Sequence, residues 1–211
     1  VFTRDRLLAS YTAGEDGGEA ERQIGALAAV LPEGNLPKAS LDFAPERENE
    51  GFLTASKVQY VACAGNYRDA GFAYTGALRI LKVMLSYDYL WLNLRVKGGA
   101  YGCMSSFSRI GDSYLVTYRD PHLSRTRQVF LGTPDYLERY EADEKTMRKY
   151  IIGTMGEVDA PLTPSAKGRR VLSMYCNGLT WEDVQREREQ ILDASAADIR
   201  ALAPLVRAVV E

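Results

Sequence analysis

The chain is poor in the residues from which most metal and nucleophile sites are built. It has one histidine, His122, and three cysteines, Cys63, Cys103 and Cys176, among 211 residues. No C-x-x-C pair occurs, so a zinc site of His and Cys ligands within this chain is not expected. An odd number of scattered thiols fits a reducing compartment rather than a disulfide framework. No stretch approaches the ~18 consecutive apolar residues that would span a bilayer. The longest candidate, 80–94, is interrupted by Lys82, Ser86, Asp88 and Asn93. The N-terminus lacks the charged start and apolar block of a signal peptide. Neither charge sign dominates: 26 Lys and Arg stand against 28 Asp and Glu, a net charge of -2. A nucleic-acid partner would call for a strongly basic footprint and is not expected. The phosphate loop G-x-x-x-x-G-K-[ST], a G-x-G-x-x-G turn and a G-x-S-x-G elbow are all missing.

What is present is core-forming material. Apolar residues make up 46% and charged residues 26%, which places the chain among globular proteins. At roughly 150 residues per domain, one domain over residues 1–211 is expected. The start at Val1 rather than Met reads as a piece of a longer polypeptide.

The pattern along the chain is α+β. Residues 7–12 read as a short strand, 14–18 as a loop, 19–30 as a helix ended by Pro32, Gly34 and Pro37, and 44–51 as an exposed charged stretch. Residues 57–64 alternate as a strand. Residues 74–96 form the strongest helix, with an apolar stripe from Leu78 to Val96 and a stop at Gly98-Gly99. Residues 101–108 and 113–118 read as an antiparallel hairpin around Gly111-Asp112. Asp120-Pro121 reads as a helix start, with Asp120 as N-cap. That helix runs toward Tyr140 with a break at Pro134. Asp143, Thr163, Thr180 and Ser195 cap four further helices. The expected architecture is a two-layer sandwich, a mostly antiparallel sheet with helices packed on one face.

Most candidate sites have an ordinary explanation. His122 reads as a solvated residue of a helix's first turn. Glu138, Glu141, Asp143 and Glu144 read as a wet helix end rather than a metal site. One stretch differs: Leu94-Arg95-Val96-Lys97-Gly98-Gly99-Ala100-Tyr101-Gly102. Its glycines free the backbone for unusual dihedrals and allow another chain to approach. Arg95 offers a permanently charged fork of donors, and Tyr101 a hydroxyl on an aromatic body. Together they suit a peptide carbonyl or the charge developing on it. The alternative local reading pairs Arg95 with a carboxylate and packs Tyr101 in the sheet.

The segment Leu90-Trp91-Leu92-Asn93-Leu94-Arg95-Val96-Lys97-Gly98-Gly99-Ala100-Tyr101-Gly102 resembles the "LWN-IRVKGGAYG" signature of the presequence-protease branch of the insulinase (pitrilysin-like, M16) metallopeptidases. Ser113-Tyr114, Tyr118-Arg119-Asp120-Pro121, residues 151–154 and residues 158–168 continue the likeness in order, and Glu50-Gly51-Phe52 with residues 58–61 fits upstream. The chain departs from the pattern at Leu94, where Ile is commoner, and at Cys103-Met104, where small residues are usual.

The resemblance implies an M16 metallopeptidase-like domain and specifically the last domain of the C-terminal half. It implies a peptidase of short unstructured peptides whose zinc is bound by an H-x-x-E-H motif in the missing N-terminal half, with no cofactor in this fragment. It implies that Arg95 and Tyr101 reach the substrate near that metal, that Gly98 and Gly99 shape the loop presenting them, and that Arg119 is a further substrate contact. Partners would be a peptide and the other domains of the same polypeptide, with neither nucleic acid nor membrane. The fragment alone would be inactive, in a bacterial cytoplasm or an organelle matrix. The competing reading is a catalytically inactive structural or interaction module of the same superfamily.

Overall fold

The computed structural model describes residues 2–14, 17–34 and 48–211. The expected loop at 14–18 and charged stretch at 44–51 lie partly outside these residues, and Pro37 wholly so. By their internal contacts the residues form two compact units, 1–53 with 161–180, and 54–160 with 181–211.

In the first unit a 3-10 turn, Arg4–Arg6, precedes helix α1, Gly18–Val30. The Arg4 guanidinium donates to the carbonyls of Ala28 and Ala29, both at 3.1 Å, and thereby caps the C-terminus of α1. Residues 7–12, expected as a strand, have no strand pairing. Leu8 and Tyr11 are exposed, so no buried face holds an extended register there. Helix α6, Pro164–Cys176, completes the unit. The Thr163 hydroxyl accepts from the Ala166 N–H at 3.3 Å, and proline occupies the first helical turn, as the sequence predicts.

The second unit holds a three-stranded antiparallel sheet in the order β1-β3-β2. The strands are β1 (Gln59–Asn66), β2 (Gly102–Phe107) and β3 (Asp112–Asp120). β2 and β3 form the expected hairpin, Gly102 opposite Tyr118 and Phe107 opposite Ser113. One sheet face is inward: Val61, Ser105, Phe107, Leu115 and Thr117 are buried. Helix α2, Ala77–Tyr87, packs on β2, and helix α9, Ala203–Val210, packs on β1. Ile80, Leu81, Met84 and Leu85 of α2 are fully buried, each such side chain worth about 1.5–3 kcal/mol. The opposite face is open, with Tyr60, Met104 and Tyr114 exposed on it. The second unit is therefore an α+β sandwich with helices on one face of an antiparallel sheet, as the sequence predicts.

Helices α3 (Leu123–Leu131) and α4 (Thr133–Glu138) are separated at Gly132, next to the proline that the sequence marks as a break. α5 (Glu144–Val158) starts from Asp143, whose carboxylate accepts from the Thr146 N–H at 2.8 Å. α7 (Trp181–Leu192) precedes α8 (Ala196–Ala201), which opens with a Ser195–Asp198 capping box. The terminal segment is two helices rather than the single one expected, because Pro204 in the first turn of α9 begins a new helix after Leu202.

A second departure concerns the long helix expected over 74–96. It is interrupted at Asp88, whose backbone leaves the helical region (φ -106°, ψ -86°). Beyond it the chain resumes as a π-helical turn, Trp91–Val96. The Lys97 N–H reaches back five residues to the Leu92 carbonyl at 3.0 Å. Such wide turns insert an extra residue into the helical ladder and recur at functional sites. Apolar periodicity does not reveal this widening, because the stripe is only rotated by it.

Candidate functional site

Arg95 lies on the π-helical turn, and Tyr101 stands just before β2. The double glycine joins them. A Cβ on Gly98 would sit 2.4 Å from the Leu94 carbonyl oxygen, so only glycine allows the chain to fold back this closely. Gly99 has φ +78°, a conformation that side chains penalise. With this turn made, the Ala100 N–H donates to Leu94 and the Gly99 N–H to Arg95, both at 3.0 Å.

The turn brings the two predicted side chains together. The Arg95 guanidinium donates to the main-chain carbonyl of Tyr101. Its carbon lies 5.6 Å from the Tyr101 ring centroid and 4.5 Å from that of Trp91. Arg119 approaches the Tyr101 ring at 5.4 Å, so one phenol is flanked by two guanidiniums. The Tyr118 ring meets Tyr101 edge-on at 5.4 Å and stacks with Tyr60 at 6.4 Å. Tyr101 is 55% exposed. Among the described residues, neither Arg95 nor Arg119 has a carboxylate within ion-pair distance. The alternative local reading, a paired arginine beside a packed tyrosine, therefore does not describe this site. Two uncompensated cations around an open phenol favour a carbonyl oxygen or a developing negative charge.

Arg119 owes its position to an irregularity in the sheet. Gln59 pairs with Asp120 and Val61 with Thr117, so Tyr118 and Arg119 together oppose Tyr60. This is a β-bulge, and Arg119 occupies its left-handed position with φ 48°. Side chains adopt that region uncommonly. Here the bulge turns Arg119 toward Tyr101 instead of continuing the strand's alternation. Tyr118 lies across Gly102, where a Cβ would come within 2.2 Å of its ring.

Asp120 is not the N-cap of α3; His122 holds that position, without a side-chain cap bond. The buried Asp120 carboxylate instead accepts from the His122 N–H at 2.8 Å and the Thr126 hydroxyl at 2.7 Å. It ties the end of β3 to the first turn of α3, a structural role reached from two residues further back than the sequence suggests. His122 itself is exposed, as expected. Burial pushes the Cys103 thiol up to about 11, against an opposing pull from Arg95.

Trp91 and Tyr60 belong to the cluster although the sequence did not single them out. Trp91 had a readable signal, because it precedes Arg95 by four residues on a helical segment. Tyr60 had none, since its place depends on the bulge.

Among the described residues no group of three His, Cys, Asp or Glu side chains could hold a metal ion. Among those residues no helix is long and apolar enough to cross a membrane.

Residues 49–211 match the family model described as "PreP C-terminal domain". The chain belongs to this family. It is 40% identical over 208 residues to "Protein HypA" of Clostridium perfringens, covering 98% of this chain and 21% of that protein. It is 34% identical over 211 residues to "Presequence protease 1, chloroplastic/mitochondrial" of Arabidopsis thaliana, covering 98% of this chain and 19% of the relative. The chain thus spans about a fifth of the length of these relatives. Among solved structures, the "peptidase M16 inactive domain" from Pseudomonas fluorescens superposes with a TM-score of 0.63 at 17% identity, over 90% of this chain and 48% of that one. This last likeness concerns the fold.

Proposed function

We propose that residues 1–211 act as one C-terminal, metal-free domain of a zinc-dependent peptidase that degrades short unstructured peptides. In this reading Arg95 and Tyr101 touch the substrate beside a zinc ion bound by a different part of the parent polypeptide. The guanidinium and the phenolic hydroxyl donate to the scissile carbonyl and hold the negative charge that develops on its oxygen. Gly98 and Gly99 set the turn that presents both groups, and Arg119 binds the peptide from the other side of the Tyr101 ring. The partners are the peptide and the other domains of the same polypeptide. The bacterial cytoplasm is the proposed compartment, with an organelle matrix as the alternative.

The observation that carries this reading is the exposed Arg95–Tyr101 couple, hydrogen-bonded across the double glycine and without a carboxylate partner among the described residues. Five guanidinium N–H donors are available to Arg95, and the bond to Tyr101 leaves others for a ligand. The test is steady-state cleavage of an unstructured peptide by the parent protein carrying Arg95→Ala or Tyr101→Phe. A fall in kcat/KM on the order of 10², the scale of losing one transition-state donor, is expected for each. Unchanged kinetics would remove the assigned role, and a parent sequence without H-x-x-E-H would favour a non-catalytic assembly module.

A further inference from the structure

Away from the Arg95–Tyr101 couple, the second unit contains a cleft of about 620 Å³ that the proposed peptidase role does not use. It is lined by four tyrosines, Tyr89, Tyr136, Tyr140 and Tyr150, together with Asp88. The Tyr89 and Tyr136 rings stack at 4.5 Å, and Tyr140 meets Tyr136 edge-on at 6.1 Å. The Tyr150 hydroxyl donates to the Asp88 carboxylate. Asp88 has no cation within ion-pair distance among the described residues, and burial holds its carboxyl above the usual carboxylate range. The remaining charges at the cleft are Asp135, Glu141 and Arg139. Asp135 shares the single Arg207 guanidinium, at 2.9 Å, with Glu138 and Glu211. Asp88, Asp135 and Glu141 thus line the cleft against Arg139, with Asp135 only part-compensated by the shared Arg207, which leaves an excess of negative charge.

We propose that this cleft binds an organic monocation of the alkylguanidinium class, the chemistry of an arginine side-chain end. Partly desolvated carboxylates are stabilised by a paired cation, and phenol faces attract one through their quadrupole. A planar guanidinium suits both, because it stacks on rings while its fork meets a carboxylate. The same chain places its own guanidiniums on tyrosine rings elsewhere, Arg109 over Tyr74 at 4.5 Å among them. The cavity is far larger than a bare ion, and no three carboxylate, thiol or imidazole groups among the described residues form a metal cluster there. The inference does not depend on the peptidase reading.

The test uses the parent protein and two small probes of equal shape, n-propylguanidinium and the neutral n-propylurea, followed by saturation-transfer NMR titration. The cation is expected to bind saturably, with the urea at least about tenfold weaker. Asp88→Asn and Tyr136→Leu are each expected to weaken the cation about tenfold, a loss of one decade in affinity. Asp88→Asn keeps an acceptor for Tyr150, so it decides the matter if Tyr136→Leu fails to fold. Arg95→Ala is expected to leave binding unchanged. No saturable binding, equal binding of the urea, or indifference to Asp88→Asn overturns the proposal. Loss of binding in Arg95→Ala overturns it too, since the probe would then sit at the other site.

Discussion

At the scale of single residues, the two glycines of the turn are not equivalent. Gly98 is confined by the Leu94 carbonyl, whereas a Cβ on Gly99 would meet only Pro121 at 3.8 Å. Gly99→Ala therefore meets only the cost of a left-handed conformation, about 1 kcal/mol. Gly98→Ala must move backbone and is expected to cost more, with urea unfolding as the measurement. The thiols also separate. Burial keeps Cys103 protonated at neutral pH, while Cys176 is exposed. Alkylation at pH 7.5 is expected to label Cys176 first and Cys103 only slowly, read by mass spectrometry, since the thiolate is the reactive form. That Arg95 and Tyr101 lie together was legible in the sequence, because a charged fork, a double glycine and an aromatic hydroxyl fall within seven consecutive positions. The way they meet was not legible, because the bond runs from a side chain to the main chain of the other residue.

At the scale of elements, chemistry local to the sequence was readable and geometry set by tertiary contacts was not. The caps at Asp143, Thr163 and Ser195 stand where short polar side chains precede helical periodicity. The bulge that aims Arg119 depends on pairing between segments far apart in the chain, as the match of Val61 to Thr117 and Gln59 to Asp120 shows. Asp120 illustrates the same limit, because a buried carboxylate serving both Thr126 and the His122 amide resembles an N-cap in sequence. Asp120→Ala leaves those donors without their acceptor and is expected to cost about 1–3 kcal/mol, measured by denaturant unfolding. The break at Asp88 carries a pH dependence. Burial raises the folded-state carboxyl above its ordinary 3.8, so the fold holds that proton more tightly than the unfolded chain does. The stability this confers is present at low pH and is lost as pH rises through the raised value. Asp88→Asn is expected to remove that loss and to unfold at higher urea than the parent at neutral pH.

At the scale of the whole molecule, the second unit is organised around one open and one covered sheet face. The covered face is the hydrophobic core; the open face ends at the Tyr60, Tyr118 and Tyr101 rings, with the Arg95 and Arg119 guanidiniums beside them. Opposite that face the packing includes Glu187, buried on α7 and held by Arg79 at 2.8 Å and by Arg109. This pairing ties α7 to α2 and to the turn of the hairpin. The division between Arg79 and Arg109, which share a buried carboxylate, and Arg95 and Arg119, which have none within ion-pair distance among the described residues, underlies the proposed role. That division was not legible in the sequence, since composition treats all the arginines alike.

The most direct measurement is peptide cleavage by the parent protein with Arg95 replaced by alanine, alongside its zinc content. The proposed role predicts full zinc occupancy with kcat/KM lowered on the order of 10², because the arginine serves the substrate and not the metal. Wild-type turnover in that variant, with zinc unchanged, would contradict it.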